Sequence, residues 1–155
     1  MNSYKNITAK SDAPPLPVSV STTMHGFLEL TKPRLSLMSV FTASLGYLVH
    51  FPLTPNFYIF ICLTVGTALA AGGAAALNQW MERDEDLLMR RTADRPIPAQ
   101  QIEPELALIF GVCLSSIGLA ILWIGTNPWA CSLTFLTLVV YLLVYTPLKK
   151  RTPYA

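Results

Sequence analysis

Residues 66–86 read GTALAAGGAAALNQWMERDED, and the composition changes from apolar to polar along this stretch. Its first part consists almost entirely of Gly, Ala and Leu, and its second part is rich in Asn, Gln, Glu and Asp. Small residues at spacings of four, such as Ala68, Gly72 and Ala76, let neighbouring helix backbones approach closely. The stretch therefore predicts a helix that packs inside a bundle and ends in a polar cluster.

The sequence around this stretch is apolar over two long intervals. Residues 35–81 and 106–148 contain no Asp, Glu, Lys or Arg. Soluble domains carry about 25% charged residues, whereas this chain carries 13%. One helical crossing of a bilayer takes roughly 20 residues, so each interval is long enough for two crossings. A soluble, buried helical core is the alternative, but it requires polar outer faces that these segments lack.

Turn-forming residues divide each interval in its middle. Residues 50–56 read HFPLTPN and residues 125–128 read GTNP, and proline ends or kinks a helix. We therefore predict an all-α, polytopic bundle of transmembrane helices, as part of a transmembrane domain over 24–155. Residues 1–23 are predicted to form a disordered cytoplasmic tail. The four helices are placed near 34–50, 56–81, 105–124 and 128–147.

The placement of charges predicts the topology. Two helical hairpins put the tail, loop 82–104 and the end from residue 148 on one side of the membrane. All eleven Lys and Arg residues fall in or beside these three regions. Because positively charged loops stay in the cytoplasm, we predict a multi-pass protein of the cell inner membrane, or of the mitochondrial inner membrane in a eukaryote. The net charge of +2 is too small to indicate nucleic acid as a partner.

The polar cluster holds the candidate chemistry. Asn78, Glu82 and Asp86 are spaced by four, so on a regular helix they fall within an arc of about 80°. Their amide and carboxylate oxygens are ligands that Mg²⁺ prefers, together with water and substrate phosphates. Glu85 shares this face and Asp84 points away from it. The spacing alone therefore does not choose which acids contact a metal.

Arginines follow the acids. Arg91 and Arg95 carry guanidinium groups, which hold phosphate oxygens in a planar, bidentate way. Acids that suit magnesium beside arginines that suit phosphate predict a diphosphate site at the end of a buried helix. The alternative is an ordinary charged loop balanced by internal ion pairs. Ionisable groups that enter a helix bundle favour the site, because they are costly to place there.

Three blocks of the sequence resemble the UbiA superfamily of intramembrane prenyltransferases. The run Asn78–Pro98 is similar to its Asn-x-x-x-Asp-x-x-x-Asp motif and the Arg-Thr…Arg-Pro segment that follows, with Glu82 in place of the first Asp. The segment Glu29–Arg34 and the ending Tyr145–Pro153 resemble most closely the haem-farnesylating branch of that superfamily. The resemblance covers the chain from about residue 27 to its end.

The resemblance implies a Mg²⁺-dependent transfer of a farnesyl group from farnesyl diphosphate to a vinyl group of haem b. This reaction makes haem O in the biosynthesis of haem A and haem O for terminal oxidases, and haem b is its substrate and not a cofactor. Asn78, Glu82 and Asp86 are then catalytic and hold Mg²⁺ through the diphosphate. Trp80 is a candidate for stabilising the allylic cation, with an interfacial anchor as the alternative. The basic residues expected to bind the diphosphate are Arg91, Arg95, Lys32, Arg34, Lys149 and Arg151.

The same resemblance implies partners and a larger fold. The partners are the lipid bilayer, farnesyl diphosphate, haem b and later haem A synthesis or oxidase assembly factors. The superfamily fold has about nine transmembrane helices and a second acid-rich motif, so we expect this sequence to correspond to its N-terminal part. Two alternatives stay open, a UbiA-type prenyltransferase for an aromatic quinone precursor and a non-catalytic four-helix transporter or assembly subunit.

Overall fold

The computed structural model describes residues 20–50, 56–89, 92 and 94–151. Within these ranges the chain forms helices and turns and no β-strand, which confirms the predicted all-α class. A π-helical segment, Val140–Tyr145, joins the last two helices. The helices are α1 (Val20–Leu30), α2 (Pro33–His50), α3 (Phe57–Leu88), α4 (Pro104–Gly125), α5 (Pro128–Val139) and α6 (Thr146–Arg151).

Three helical segments are long and apolar enough to cross a membrane. They are Phe57–Leu88, Pro104–Gly125 and Pro128–Leu148. Helix α2 was predicted as a further crossing and is not among the three, so its crossing stays a prediction. The physical reason lies at its ends, where Pro33, Arg34 and His50 lower its mean hydropathy. The fold is nevertheless that of a polytopic membrane bundle.

Helix α3 is longer than its sequence predicts. It ends at Leu88 and not near residue 81, so at 1.5 Å per residue it is about 48 Å long. Its apolar part, Phe57 to Leu77, accounts for about 31 Å of this length, which already matches the roughly 30 Å of a bilayer's hydrocarbon core. The polar cluster that begins at Asn78 therefore lies on the helical turns beyond the apolar part.

Helices α3 and α4 pack antiparallel through glycines. Gly66 lies against Gly118, and Gly73 lies against Gly111 and Ser115, so residue numbers rise along one helix as they fall along the other. A Cβ atom built on Gly73 would lie 2.7 Å from the Gly111 carbonyl oxygen, which is too close for any side chain. Backbones thus approach closely as predicted, but through Gly66 and Gly73; Gly72, of the predicted row, faces the side chains of Thr31 and Leu114.

Helix α1 closes over the polar end of this pair. The Phe27 and Phe110 rings lie 4.9 Å apart, centroid to centroid. Sequence analysis did not predict this helix, and residues 20–23, assigned there to the tail, belong to it. The rest of the predicted tail, residues 1–19, lies outside the described residues. A buried apolar cluster joins α1, α3, α4 and the loop that follows α3. Its members are Leu30, Ala76, Ile97, Ile102 and Ala107.

The start of α3 and the end of α4 lie at the other end of the bundle, where Gly125 lies against Cys62. Residues 51–55 of the first predicted turn lie outside the described residues. Asn56, which follows them, caps α3 by accepting a hydrogen bond from the Tyr58 backbone N–H at 3.0 Å. In the second turn α4 ends at Gly125 and α5 begins at Pro128, as predicted.

The π-helical segment interrupts what was predicted as one regular helix over 128–147. Pro147 has no backbone N–H and its ring clashes with the carbonyl group four residues earlier, so it disfavours a regular turn. The Thr146 N–H instead donates to the Tyr141 carbonyl oxygen, five residues back. Such wide turns are rare and frequently mark functional sites. Here the wide turn determines which way Thr146 faces.

Candidate active site

Asn78, Glu82 and Asp86 lie on one face of α3, in its last turns. All three are buried, and the two acids are only 6% and 4% exposed, respectively. Removing a carboxylate from water costs several kcal/mol unless partners compensate the charge. The structure therefore has to supply donors to both acids, and it does so from the loop after α3 and from Asn78 on the same helix.

The first donor is Arg95, which the loop after α3 brings back to the helix. Two successive turns form this loop, with the Thr92 N–H donating to the Met89 carbonyl at 3.0 Å and the Arg95 N–H donating to the Thr92 carbonyl at 3.2 Å. Arg95 Nη1 donates to Asp86 Oδ2 and lies 3.8 Å from Glu82 Oε2. One guanidinium nitrogen thus faces both carboxylates, so two negative charges share one positive charge.

The second set of donors involves Asn78. Its Nδ2 donates to Glu82 Oε2 at 3.1 Å, and its Oδ1 accepts from the Thr146 hydroxyl at 2.7 Å. Thr146 is completely buried. Tyr141 lies one turn earlier in the π-helical segment, and its carbonyl oxygen is 3.0 Å from the Thr146 hydroxyl. The end of the last membrane-spanning helix therefore forms one wall of the acid cluster.

The acids lie near the C-terminal end of α3, where the dipole of the helix destabilises negative charge. Residues 82–86 include four acids close to the end of α3 at Leu88, and the last turn has no basic residue. The C-terminal end of a helix carries partial negative charge and prefers cations. Thr92 Oγ1 offsets part of this charge by donating to the Asp86 carbonyl oxygen at 3.0 Å. Natural sequences keep such local conflicts mainly at functional sites, which favours a ligand-binding role over a balanced loop.

Gln79 ties α1 to the same end of α3. Its Nε2 donates to the carbonyl oxygens of Glu29 at 3.4 Å and Leu30 at 3.3 Å. These carbonyls belong to the last turn of α1 and have no partner within that helix. The connection places the α1–α2 junction, which holds Lys32 and Arg34, at the polar end of the bundle.

The basic residues predicted to bind diphosphate are not all brought together. We call Asn78, Glu82 and Asp86 the acid row. Lys32 and Arg34 line a cavity of about 460 Å³ at the α1–α2 junction, and no residue of the acid row lines it. Arg91 lies outside the described residues. Lys149 and Arg151 belong to the short helix α6, of which only the backbone is described at those positions. Among the predicted donors, Arg95 is the one that the described structure places against the acids.

Trp80 lies on the opposite side of α3 from Glu82, about 160° around the helix. It packs against the apolar cluster beneath α1. The Arg83 guanidinium carbon lies 4.9 Å from the centre of its ring, and Arg83 Nε lies 3.7 Å from an Asp84 carboxylate oxygen. These surroundings support a packing role for Trp80. Asp84 lies on the exposed face of α3.

The residues of the acid row fit a metal that arrives with a phosphate ligand. Within the part of the chain that the structure describes, no group of three or more His, Cys, Asp or Glu side chains converges as a metal cage. Glu82 and Asp86 offer two carboxylates and Asn78 an amide. Mg²⁺ is usually held by one or two carboxylates and completes its shell with water and substrate phosphates.

Sequence reasoning missed Thr146 and Tyr141 as parts of the site. Thr146 is 68 residues from Asn78, so no helical periodicity links the two. The available signal was the Thr146-Pro147 pair, because proline inside a helix changes the hydrogen bonding of the preceding turn.

These features define a class: an α-helical membrane protein with a buried carboxylate, amide and guanidinium site at one end of its most closely packed helix. The comparisons agree with that class and narrow it. The chain belongs to the UbiA prenyltransferase family, whose sequence model matches residues 39–155. No solved structure matches the chain.

Several similar proteins bear the name protoheme IX farnesyltransferase. The one from Solibacter usitatus is 41% identical over 138 residues, which are 83% of this chain and 47% of that protein. The one from Opitutus terrae is 48% identical over 124 residues, 80% of this chain and 42% of that protein. The one from Acidiphilium cryptum is 41% identical over 132 residues, 84% of this chain and 41% of that protein. The chain therefore spans less than half the length of these curated relatives.

Proposed function

We propose that the protein transfers a farnesyl group from farnesyl diphosphate to a vinyl group of haem b, producing haem O. The observation that carries the proposal is the cluster in which Arg95 faces both Asp86 and Glu82 within a membrane bundle. The family and the names of the relatives support the same chemistry. Because these relatives are about twice as long, the activity is proposed for the protein that contains this chain.

In this proposal Asn78, Glu82 and Asp86 hold Mg²⁺ together with the diphosphate. The metal supplies positive charge that neutralises the diphosphate and so makes it a better leaving group. Arg95 exchanges its bond to Asp86 for phosphate oxygens, which suit its planar fork of donors. Arg91, Lys32, Arg34, Lys149 and Arg151 are proposed as further donors around the same anion.

The reaction breaks the bond between the first farnesyl carbon and the diphosphate oxygen. Negative charge builds on that oxygen, and donors already oriented toward it stabilise the transition state more than the bound substrate. The remaining allylic cation must be protected from early capture by water, and the apolar walls of the bundle exclude water. The vinyl group of haem b then attacks the cation, and water adds to the carbocation that this leaves next to the porphyrin. The added water loses a proton to the released diphosphate or to solvent, which gives the hydroxyethylfarnesyl group.

We further propose that the polar end of the bundle faces the cytoplasm of a bacterial cell, or the mitochondrial matrix. The positively charged segments are all attached to that end, and such segments stay on the cytoplasmic side. Haem b and the farnesyl chain then reach the site through the bilayer. Enzymes of haem A synthesis and oxidase assembly factors are the proposed later partners, since they use the product.

The test is a product assay on the whole protein in lipid nanodiscs. Farnesyl diphosphate and Mg²⁺ are supplied with either haem b or 4-hydroxybenzoate, and the products are identified by mass spectrometry. We expect farnesylated haem with haem b, no product with 4-hydroxybenzoate, and no product when a chelator removes Mg²⁺. Product with 4-hydroxybenzoate alone would establish the quinone-precursor function instead. Product with neither acceptor, without any binding of farnesyl diphosphate, would favour the non-catalytic alternative.

A further inference from the structure

The hydroxyl group of Thr146 lies between two acceptors at the buried wall of the acid cluster. Asn78 Oδ1 is 2.7 Å away and the Tyr141 carbonyl oxygen is 3.0 Å away. A hydroxyl group has one hydrogen and so donates to one of them at a time. The Tyr141 carbonyl already accepts from the Thr146 backbone N–H, whereas Asn78 Oδ1 has the shorter contact. The geometry thus favours donation to Asn78.

This hydrogen bond fixes the orientation of the Asn78 amide. An ionised carboxylate only accepts hydrogen bonds, so the amide has to present its nitrogen to Glu82, as it does at 3.1 Å. The reversed amide would place two acceptor oxygens against each other. The Thr146 hydroxyl takes up one of the two lone pairs of Oδ1, so it holds this orientation and leaves the other lone pair for a metal.

The placement of Thr146 depends on the π-helical segment before it. Pro147 disfavours a regular turn there, and the wide turn from Tyr141 to Thr146 shifts the following residues around the helix axis. Thr146 is the first residue after this segment, and its side chain is 0% exposed. A hydroxyl that is buried and aimed at a second helix has little reason to be a solvent-facing or capping group.

We propose that Thr146 is a positioning residue for the diphosphate site, which acts by fixing Asn78 and, through Asn78, Glu82. The inference rests on the proposed function, because it assumes that the acid row binds a diphosphate with Mg²⁺. It adds a role for a side chain that makes no contact with the substrate. The role requires the hydroxyl group itself and not merely a side chain of similar volume.

The experiment compares Thr146→Val with Thr146→Ser in the whole protein reconstituted in lipid nanodiscs. Inorganic pyrophosphate with Mg²⁺ is the probe, and calorimetry gives its Kd without any need for turnover. The valine variant keeps the volume and loses the donor, so we expect its Kd to rise about tenfold, as for one lost hydrogen bond to a buried acceptor. The serine variant keeps the donor and is expected to stay within about twofold of the unsubstituted protein. Equal Kd values for the two variants would overturn the proposal.

A double-mutant cycle with Asn78→Ala separates positioning from a general effect on packing. If Thr146 acts through Asn78, Thr146→Val has no further effect once the amide is absent. A full tenfold loss in the Asn78→Ala background would contradict the inference. If the valine variant does not fold, Thr146→Ala replaces it, and equal binding by the alanine and serine variants would likewise overturn the proposal. Failure of the unsubstituted whole protein to bind the probe would instead refute the diphosphate site of the proposed function.

Discussion

The middle and the end of α3 solve different physical problems with the same helix. From Gly66 to Leu77 the helix meets α4 through small side chains, and its contacts are van der Waals contacts between backbones that approach closely. From Asn78 to Asp86 it uses polar side chains that reach other segments. Gln79 holds α1, Asp86 holds the loop through Arg95, and Asn78 holds the start of α6.

The middle of α3 therefore contributes mainly to stability, and its polar end contributes mainly to ligand binding. The glycine-rich part determines how closely the helices lie and involves no charge. The polar part is built on that framework, and its two buried carboxylates share the one guanidinium group of Arg95. Changes in the middle of α3 should therefore lower stability, whereas conservative changes at its end should lower ligand binding while leaving insertion into the membrane intact.

The largest effect is expected from Asp86→Asn, which removes one charge and keeps the size of the side chain. Losing an electrostatic group that acts on the developing charge costs about 100-fold to 1000-fold in rate. The measurement is the rate of haem farnesylation by the protein in nanodiscs, with the inserted fraction measured in parallel. Asp84→Asn is the matched control, because Asp84 is on the exposed side of α3 and pairs with Arg83. Equal rates for the two variants would show that the buried and exposed faces of α3 do not differ in function.

The next effect is expected from Arg95→Gln. The substitution removes the cation that faces both Asp86 and Glu82, and a lost hydrogen bond to a charged group costs about 1.5–3 kcal/mol. We therefore expect the Kd for Mg²⁺ pyrophosphate to rise by roughly 10-fold to 100-fold. Arg83→Gln is the control, since Arg83 stacks on Trp80 away from the acid row. A similar loss of affinity in both variants would show that only overall charge matters.

In the middle of the helix, Gly73→Ala is expected to lower stability without altering the polar end. The added Cβ would collide with Ser115 Oγ, and overpacking of this kind costs about 1–3 kcal/mol. Gly46→Ala is the control, because a Cβ at Gly46 meets no atom within 4 Å. The readout is the thermal unfolding midpoint in detergent. If Gly73→Ala is as stable as Gly46→Ala, the α3–α4 contact is looser than the structure indicates.

The smallest effect on catalysis is expected from Trp80→Leu. Trp80 faces the apolar cluster under α1 and not the acid row, so the farnesylation rate should stay within about twofold, in contrast to the loss expected of an electrostatic catalytic group. The unfolding midpoint should fall, because a large, partly buried ring is replaced by a smaller side chain. A rate reduced 100-fold with an unchanged midpoint would instead support the cation-stabilising role that the resemblance suggests for Trp80.

The parts of this molecule that follow helical periodicity are visible in its sequence. The small residues of α3, the second hairpin turn and the common face of Asn78, Glu82 and Asp86 all depend on spacings of a few residues. Arg95 also follows closely along the chain, so its proximity to the acids was expected. Local spacing is sufficient for these features because each involves one helix or the loop next to it.

The missed features depend on contacts between distant segments or on the ends of helices. Helix α1 owes its position to Phe27 and Leu30, which pack against α4 and the loop after α3, and no pattern in residues 20–30 signals those partners. The hydrogen bond from Thr146 to Asn78 joins two helices that are 68 residues apart. The α3 boundary was placed too early because a charged run usually indicates a loop, whereas here tertiary partners neutralise the charges.

We propose that the end of α3 binds a prenyl diphosphate through its acids together with Mg²⁺. The most direct measurement is equilibrium binding of a farnesyl diphosphate analogue, with sulfur in place of the bridging oxygen, to the unsubstituted protein and to Asp86→Asn in nanodiscs. We expect binding that requires Mg²⁺ and is roughly 10-fold to 100-fold weaker in the variant, as for a lost interaction with a charged group. Equal affinity in both proteins, or binding unaffected by a chelator, would contradict it.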